Sequence, residues 1–536
     1  MGDTATASDG IHELTVDLHG SPYYSDDMAP TTRAQRRWGM KDLAVLWISM
    51  SACIPTYMLA SGLINQGMNW KQAILTIFLG NLIVLVPMVL NAHAGTKYGI
   101  PFPVYCRASF GILGANVPAL LRALVACGWF GIQTWIGGQA VYSLLAVFFP
   151  QWKELPALFS HPAIAGGAAA DPGWGINAAQ FACFLAFWLV NMAVIYKGIE
   201  SIRVLLNIKA PLLIALGLAL LAWAYHTAGG FGEMLSKPSQ FEPGGVKAGQ
   251  FWPVFILALT GNVSFWATLA LNIPDFSRYA RSQRDQAWGQ ILGLPTTMGL
   301  YSFIGVAVTS AALVIYKDLP AESQGKLWDP VFLLSQFKNP VLLVFAMAAL
   351  GLATLATNIA ANVVGPANDF AHMWPRIVTF RVGGFITGVI GILIQPWRLL
   401  ANADIYIDKW LVGISPLLGA VGGILIADYF VIRRTQLDQP GLYCQHGPYW
   451  YRGGINPAAM IALFAGVALC VPGFLAKLGV FGVEGAKLAQ GVVAPKATIA
   501  PLWADLYNFA WFVSFGVAFG VYLVIMKLAS NSEKQD

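Results

Sequence analysis

Long apolar runs recur along the whole chain and are separated by short segments rich in polar and charged residues. Most of these runs exceed the roughly 20 residues that a helix needs to span a bilayer. The pattern predicts an all-α membrane protein with twelve spanning helices. The predicted helices cover residues 42–65, 71–93, 116–149, 176–198, 201–227, 250–275, 287–316, 338–370, 377–396, 408–432, 456–476 and 501–528.

Two of the predicted helices, the first and the sixth, contain helix-interrupting residues at corresponding places. These residues are Ser49, Ser51 and Pro55 in the first helix, and Gly261, Asn262, Ser264 and Pro274 in the sixth. Interrupted first helices in two halves of a chain are typical of secondary transporters built from inverted repeats, which bind substrate near the membrane midplane. Pro and Ser are also tolerated in ordinary membrane helices, because neighbouring groups satisfy the freed backbone. The pattern is compatible with both interpretations.

The composition supports a membrane protein and adds an orientation. Of the 536 residues, 57% are hydrophobic and 11% are charged, with a formal net charge of +6. If the N-terminus is cytoplasmic, the cytoplasmic segments carry almost every loop arginine, which is the usual bias of membrane proteins. We therefore predict a multi-pass protein of the cell membrane with both termini in the cytoplasm and no cleavable signal peptide. The basic balance does not indicate a nucleic-acid polymer as a partner.

The third predicted helix carries a glutamine at its centre, within the stretch GWFGIQTWIGG at residues 128–138. Trp129 and Gln133 are four residues apart and so project from the same face. A buried amide must be paired, and the amide edge of a planar heterocycle could pair it while the indole stacks on the ring. Alternatively, the tryptophan is an interfacial anchor and the glutamine bonds a neighbouring helix. Trp135 points elsewhere, and we expect it to contribute to packing.

The eighth predicted helix presents hydroxyl and amide groups at two levels of an otherwise apolar span. Hydroxyl and carbonyl oxygens are the ligands that a small cation prefers. Small and polar residues are also favoured where membrane helices pack together, so packing is the alternative role. The polar residues are Thr354, Thr357, Asn358, Asn362 and Asn368.

Acidic residues lie mainly at the predicted cytoplasmic helix ends, where we expect solvated caps or ion pairs of a gate. They are Asp275 with Arg278, Asp369, and Asp428 with Arg433 and Arg434. The sequence contains no zinc-protease, nucleotide-binding or Ser/His/Asp motif, and its Cys and His residues lack metal-ligand spacing. We therefore expect neither an enzyme nor a bound cofactor.

Four long stretches resemble the nucleobase:cation symporter-1 family, in its allantoin, hydantoin and uracil permease branch. They are NAHAGTKYGIPFPVYCRASFG at 91–111, GWFGIQTWIGG at 128–138, ALNIPDFSRYAR at 270–281 and TNIAANVVGPANDF at 357–370, and the similarity runs from about residue 24 to residue 528. The resemblance implies a LeuT-like fold of two inverted five-helix repeats followed by two further helices. It also implies uptake of a nucleobase or cyclic ureide together with a cation, by alternating access.

On this resemblance the chain divides into five segments. They are a cytoplasmic N-terminal segment at 1–40, a first repeat at 41–227, a second, inverted repeat at 250–432, two extra helices at 456–528 and a cytoplasmic tail at 529–536.

The resemblance also implies a role for particular residues. The substrate, a small planar heterocycle such as allantoin, hydantoin or uracil, would lie between Trp129 and Trp266 and be held by Gln133 and Asn362. Phe265 would add a backbone contact. The partners would be this substrate, the coupling cation and the lipid bilayer.

The family's sodium site maps onto the carbonyl groups of Ser51, Ile54 and Ala353 and onto the side chains of Ala356 and Thr357. Ala356 has no hydroxyl, so one ligand of that site is missing. The coupling cation is therefore either sodium or a proton.

Two other functions fit parts of the pattern. A cytosine or purine carrier would belong to the same family. A channel, or a substrate sensor without coupled transport, would belong to a different class. Channels usually carry rings of charge or repeated filter loops, and the sequence shows neither.

Overall fold

The structure, a computed structural model, describes residues 4–6, 10–14, 16–160, 173–197, 199–374, 377–485, 495 and 497–532. Parts of the two predicted cytoplasmic segments, namely 1–3, 7–9 and 15 in 1–40, and 533–536 in 529–536, lie outside the described residues. The N-terminal half contains α1 Met40–Ser51, α2 Ile54–Asn65, α3 Trp70–Tyr98, α4 Phe102–Phe110, α5 Asn116–Leu145, α6 Ala178–Lys197, α7 Ile199–Thr227 and α8 Phe231–Ser236.

The rest of the chain is also mainly helical. Its helices are α9 Phe251–Asn272, α10 Pro274–Ser277, α11 Gln283–Ile315, α12 Ala321–Gln324, α13 Pro330–Ser335, α14 Pro340–Asn362, α15 Val364–Met373, α16 Phe380–Leu393, α17 Pro396–Leu399, α18 Val412–Ile426, α19 Pro457–Ala468, α20 Val471–Lys477, α21 Pro501–Asn508 and α22 Ala510–Ser532. Two π-helical turns, Ile405–Leu411 and Ala427–Ile432, flank α18. The strands are β1 Thr4–Thr6 and β2 His12–Leu14, which pair antiparallel, and β3 Gly482–Val483 and β4 Thr498–Ile499, which pair parallel.

Many of these helices are suited to a bilayer. Among the described residues, nine helices are long and apolar enough to cross a membrane, and the bent pair α1 and α2 can form a tenth span. Shorter apolar stretches occupy Leu212–Thr227 within α7 and Phe380–Leu393 in α16. The structure therefore confirms a mostly helical, multi-pass membrane fold.

The first predicted span is broken, as its sequence indicates. α1 ends at Ser51 and α2 begins at Ile54, with a bend of 56° between them. Cys53 lies between the two helices in an extended conformation (φ −148°, ψ 160°). Pro55 follows in the first turn of α2, where its missing N–H removes no helical hydrogen bond.

The sixth predicted span is continuous through three of its four predicted interrupting residues and breaks only at the fourth, Pro274. α9 runs from Phe251 to Asn272, through Gly261, Asn262 and Ser264. The side-chain amide of Asn262 donates to the carbonyl of Ala258 at 2.8 Å, one turn earlier, and so remains compatible with the helix. The break falls later, at Ile273, between α9 and α10.

Pro274 accounts for the position of this later break. It has no N–H to donate to the carbonyl of Ala270, four residues earlier. Asn91 of α3 satisfies that carbonyl instead, since its side-chain nitrogen donates to it at 2.9 Å. The proline thus ends α9, and the Ala270 carbonyl that it leaves free becomes a hydrogen-bond acceptor for α3.

The arrangement of the helices brings α5, α9 and α14 together at the centre of the molecule. α5 packs against α14, α6, α15 and α16, while α9 packs against α3, α5 and α18. The last helix, α22, lies against α18 and α19. The break between α1 and α2 borders the same central region, and a cavity lies there.

Candidate functional site

The central cavity lies between the break of the first span and helices α5, α9 and α14. It spans about 470 Å³, including space open to solvent, and is lined mainly by apolar and aromatic side chains. All five residues predicted to bind substrate line it, and each is at most 7% exposed. They are Trp129 and Gln133 on α5, Phe265 and Trp266 on α9, and Asn362 at the end of α14.

Three of the aromatic residues that line the cavity contact one another. The ring of Phe265 contacts Trp129 edge-on at 5.2 Å and Trp266 edge-on at 5.0 Å, measured between ring centroids. Trp266 also packs edge-on against Trp47 of α1 at 5.3 Å. These contacts hold the two indoles in fixed orientations on separate helices. The family resemblance implied a role only for the backbone of Phe265, whereas its ring contacts both indoles.

The two amide side chains of the cavity differ in their surroundings. Gln133 is 4% exposed, and its Oε1 atom has no hydrogen-bond partner among the described residues. Asn362 instead donates from Nδ2 to Oδ1 of Asn358 at 3.0 Å. Asn358 in turn donates to Thr134 at 2.9 Å and to Asn191 at 3.2 Å. The protein therefore fixes the orientation of Asn362 and leaves an acceptor of Gln133 available.

Asn362 lies at a break in the eighth predicted span. α14 ends at this residue and α15 begins at Val364. Pro366, four residues after Asn362, has no N–H that could donate to the Asn362 carbonyl, so a continuous helix would lose one hydrogen bond here. The sequence contains this proline, but its pattern predicted a single uninterrupted helix over 338–370.

The residues that map onto the family's sodium site lie on two neighbouring elements, α1–α2 and α14. Ser51 ends α1, Ile54 begins α2, and Ala353, Ala356 and Thr357 lie on α14; all five are buried. The hydroxyl of Thr357 donates to the carbonyl of Ala353 at 2.9 Å, so two of the mapped oxygens bond each other. Of the five residues, Thr357 also lines the central cavity.

An arginine that sequence reasoning missed also lines the cavity. Arg122 lies on α5 seven residues before Trp129, and its Nη1 atom forms an ion pair with Oδ2 of Asp369 at 2.9 Å. Both side chains are almost fully buried, at 1% and 0% exposed. A charged residue within an apolar span is costly unless it is paired. Arg122 lies on the same face of α5 as Trp129 and Gln133, and this position was the sequence signal that could have identified it.

Of the two roles predicted for the terminal acids, solvated caps and ion pairs, the structure shows ion pairs for Asp369 and Asp428. Asp369 and Asp428 are fully buried and so are not solvated caps. Asp428 does pair with Arg433, at 2.7 Å. Asp275 accepts a hydrogen bond from the backbone N–H of Phe102 at 2.8 Å, whereas no ion pair joins it to Arg278 among the described residues.

Trp135 has the packing role predicted for it. Its ring lies 6.1 Å from Phe184 and 5.9 Å from Trp397, measured between ring centroids. It is 8% exposed and belongs to a separate aromatic cluster outside the central cavity. The two tryptophans of GWFGIQTWIGG therefore serve different parts of the molecule.

Comparisons with known proteins agree with this architecture. Residues 30–494 match the family of permeases for cytosine and purines, uracil, thiamine and allantoin. The purine-uracil permease NCS1 of Arabidopsis thaliana is 45% identical over 504 residues, which are 94% of this chain and 77% of the relative. The allantoin permease of Bacillus subtilis is 35% identical over 508 residues, which are 94% of this chain and 93% of the relative.

A solved structure shares the fold. It is that of Mhp1, a nucleobase-cation-symport-1 family transporter, in a closed conformation with bromovinylhydantoin bound. The TM-score is 0.70 at 21% sequence identity, and the likeness covers 95% of this chain and 96% of Mhp1. The relatives are permeases and not enzymes. The chain therefore belongs to the nucleobase:cation symporter-1 family and is a membrane permease.

Proposed function

We propose that this permease imports a cyclic ureide such as allantoin or hydantoin, or the nucleobase uracil, together with a cation. The observation that carries the proposal is the central cavity, where two indoles and an unpaired amide oxygen lie together in a buried, mainly apolar space. Planar heterocycles with several N–H groups match both features, because the ring stacks on indole and an N–H can donate to the free oxygen.

Each side chain of the cavity has a distinct role in this proposal. Trp129 and Trp266 contact the faces of the heterocycle, and Phe265 holds the two indoles apart as well as offering its backbone. Gln133 and Asn362 bond the amide edge of the ring. Both kinds of contact are needed, because an apolar slot discriminates poorly between similar rings, whereas buried amides reject a ligand that leaves them unpaired.

The proposal includes a full transporter architecture. It has twelve spans, with inverted five-helix repeats at 41–227 and 250–432, two extra helices at 456–528, and both termini on the cytoplasmic side of the cell membrane. The broken first span and the likeness to Mhp1 support this arrangement. Rocking of one helix bundle against the other would expose the cavity first outside and then inside.

The coupling cation in this proposal is sodium or a proton. The carbonyls of Ser51, Ile54 and Ala353 and the hydroxyl of Thr357 would supply oxygen ligands for sodium. Ala356 supplies none, and this weakens the case for sodium.

Uptake into proteoliposomes tests substrate and cation together. Labelled allantoin, hydantoin, uracil, cytosine and adenine are offered with a sodium gradient or a proton gradient imposed separately. We expect accumulation of a ureide or uracil with one of the two gradients. The 45% identity to a purine-uracil permease makes adenine and cytosine the necessary comparison, since their accumulation alone would indicate a purine and cytosine carrier. Absence of accumulation under any gradient would indicate a channel or a sensor.

Paired variants test the cavity itself. Gln133→Ala and Trp129→Ala should abolish uptake without preventing membrane insertion. Gln139→Ala on the same helix and Trp288→Ala, whose side chain is 48% exposed on α11, serve as matched controls because neither lines the central cavity. If the cavity variants transport as well as the controls, the substrate site lies elsewhere.

A further inference from the structure

A second cavity lies at the other end of α5 from the aromatic cluster of Trp135, on the side proposed to be cytoplasmic. It spans about 740 Å³, including space open to solvent, between α4, the first residue of α5 and the end of α15, and Tyr23 of the N-terminal segment also borders it. The transport mechanism proposed above uses none of its lining residues. Its composition is unusual, because a buried cationic side chain lies beneath an exposed apolar rim.

The cationic side chain is Arg107 of α4, which is 1% exposed. Its Nη1 atom donates to the carbonyl of Leu442 at 3.1 Å, and its guanidinium lies 5.1 Å from the ring centroid of Tyr443. Among the described residues, no carboxylate forms an ion pair with it. Burial lowers the pKa of Arg107 to about 10, so the group is still charged at neutral pH. A buried charge of this kind normally has a counterion.

His372 of α15 adds a second donor to the cavity. Its Nε2 atom lies 3.1 Å from Nε of Arg107, which can only donate, so Nε2 accepts and the proton of a neutral ring resides on Nδ1. That Nδ1 atom is buried, and no hydrogen-bond partner for it exists in the described part of the chain. His372 as a whole is 5% exposed. The cavity therefore offers a cation and an unpaired N–H donor, and none of the described residues that line it is acidic.

The rim of the cavity indicates where its ligand comes from. Leu113, Trp374 and Ile377 line it and are 39%, 51% and 75% exposed. In a multi-pass membrane protein, exposed apolar side chains at a helix end contact lipid, and tryptophan is enriched at the level of the headgroups. A soluble anion would gain nothing from this rim, whereas a lipid would place its acyl chains along it.

We propose that this cavity binds an anionic phospholipid, with the phosphate on Arg107 and His372 and the acyl chains along Leu113, Trp374 and Ile377. Basic pockets between membrane helices are a known way to hold such headgroups. The α5 N-terminus at Asn116 adds a favourable dipole for the phosphate. The bound lipid would connect α4, α5 and α15, which already contact one another.

The purified full-length chain allows a direct test. Native mass spectrometry counts retained lipids, and thermal unfolding in detergent measures stabilisation by phosphatidylglycerol, phosphatidylcholine or inorganic phosphate. We expect phosphatidylglycerol to remain bound and to raise the melting temperature, and the other two to have little effect. Equal stabilisation by phosphatidylcholine would overturn the proposal. So would inorganic phosphate that stabilises the chain equally and displaces the lipid, since the site would then bind soluble anions.

Two variants and a control identify the site. Arg107→Gln removes the cation, and Asn116→Asp places a carboxylate at the cavity while keeping the shape of the side chain. Each should weaken phosphatidylglycerol binding by about fivefold or more, given the usual contribution of one basic group to binding an anionic lipid. Asn339→Asp makes the same chemical change at the N-cap of α14 and should bind lipid like the parent. Asn116→Asp decides the test if Arg107→Gln does not fold, because an acidic residue in the first helical turn is favourable. Unchanged lipid binding in Asn116→Asp would refute the assignment.

Discussion

Gln133 and Asn358 are both buried amides near the centre of the molecule, but the protein uses them differently. The amide nitrogen of Asn358 has three acceptors on α5 and α6, namely the carbonyl of Phe130 and the side chains of Thr134 and Asn191. The Oε1 atom of Gln133 has no partner among the described residues. A polar group that the fold itself leaves unpaired costs stability, and because Gln133 lines the central cavity, a ligand that donates to its oxygen would recover that cost.

This contrast predicts opposite outcomes for one substitution. Gln133→Leu should leave the stability of the ligand-free protein unchanged or higher, while it weakens substrate binding by about 1 to 3 kcal/mol, the usual cost of an unmade buried hydrogen bond. Asn358→Leu should lower stability, because several acceptors lose their donor. Thermal unfolding in detergent and ligand quenching of tryptophan fluorescence measure the two effects. A large loss of stability in Gln133→Leu would show that its amide is structural.

The ion pair of Arg122 and Asp369 gives a second prediction at this scale. Asp369→Asn should lower the free energy of unfolding by about 3 to 5 kcal/mol, because it leaves a buried guanidinium without a counterion. The double variant Arg122→Met/Asp369→Asn removes both charges and should recover most of that loss. Thermal unfolding of the three proteins checks this order. If the double variant is less stable than Asp369→Asn, the two charges do not act as a pair.

At the scale of the helices, the sequence predicted some breaks correctly and missed others. It identified the break near Pro55, where the proline begins a new helix. In the sixth span it named Gly261, Asn262 and Ser264, through which α9 is continuous, as well as Pro274, where the break does fall. It missed the break after Asn362, although Pro366 is visible in the chain. The sequence shows which residues can interrupt a helix. It does not show which groups satisfy the freed backbone carbonyls, as Asn91 of α3 does for Ala270 of α9.

The site shows the same division. Trp129 and Gln133 were predicted from their spacing on one face, and the resemblance to a family added Trp266, Phe265 and Asn362; the structure brings all five to one cavity. The partner of Arg122 lies 247 residues away in the sequence, and only the packing of α15 on α5 brings the two together.

The close packing of α15 on α5 predicts the effect of adding one methyl group at Gly365. A Cβ atom at Gly365 of α15 would overlap the guanidinium of Arg122, which cannot move away without breaking its ion pair. Gly365→Ala should therefore be strongly destabilising. Gly516→Ala on α22 is the matched control, since its Cβ would meet no atom within 4 Å, and it should gain about 0.5 to 1 kcal/mol from helix propensity. Similar melting temperatures for both variants would contradict this account.

At the scale of the whole molecule, polar contacts connect the C-terminal helices to the transport core. Lys477 at the end of α20 pairs with Asp408 at 3.0 Å, and Tyr507 of α21 donates to the backbone carbonyl of Asp408 at 2.9 Å. Gln66 at the end of α2 donates to the side chains of Asp404 and Asp408. The broken first span and the extra helices therefore meet at one polar cluster.

Loss of this cluster should affect global stability. Lys477→Met keeps the aliphatic stem and should cost about 1 to 2 kcal/mol, between the values usual for exposed and buried ion pairs. Lys326→Met, whose pair with Glu322 is exposed, should leave the melting temperature unchanged. Thermal unfolding measures both. Equal melting temperatures in the two variants would mean that the Lys477–Asp408 ion pair contributes little to holding the C-terminal helices.

The ion pair of Arg122 also determines which ionisation state of a substrate can enter the central cavity. Arg122 is the one charged residue among the described side chains that line the central cavity, and Asp369 already neutralises it. An anionic ring would find no free counterion there and would lose its hydration. The cavity therefore accepts the neutral form of a weakly acidic heterocycle, and uptake of such a compound should decline as the medium becomes alkaline enough to deprotonate it, whichever cation drives transport.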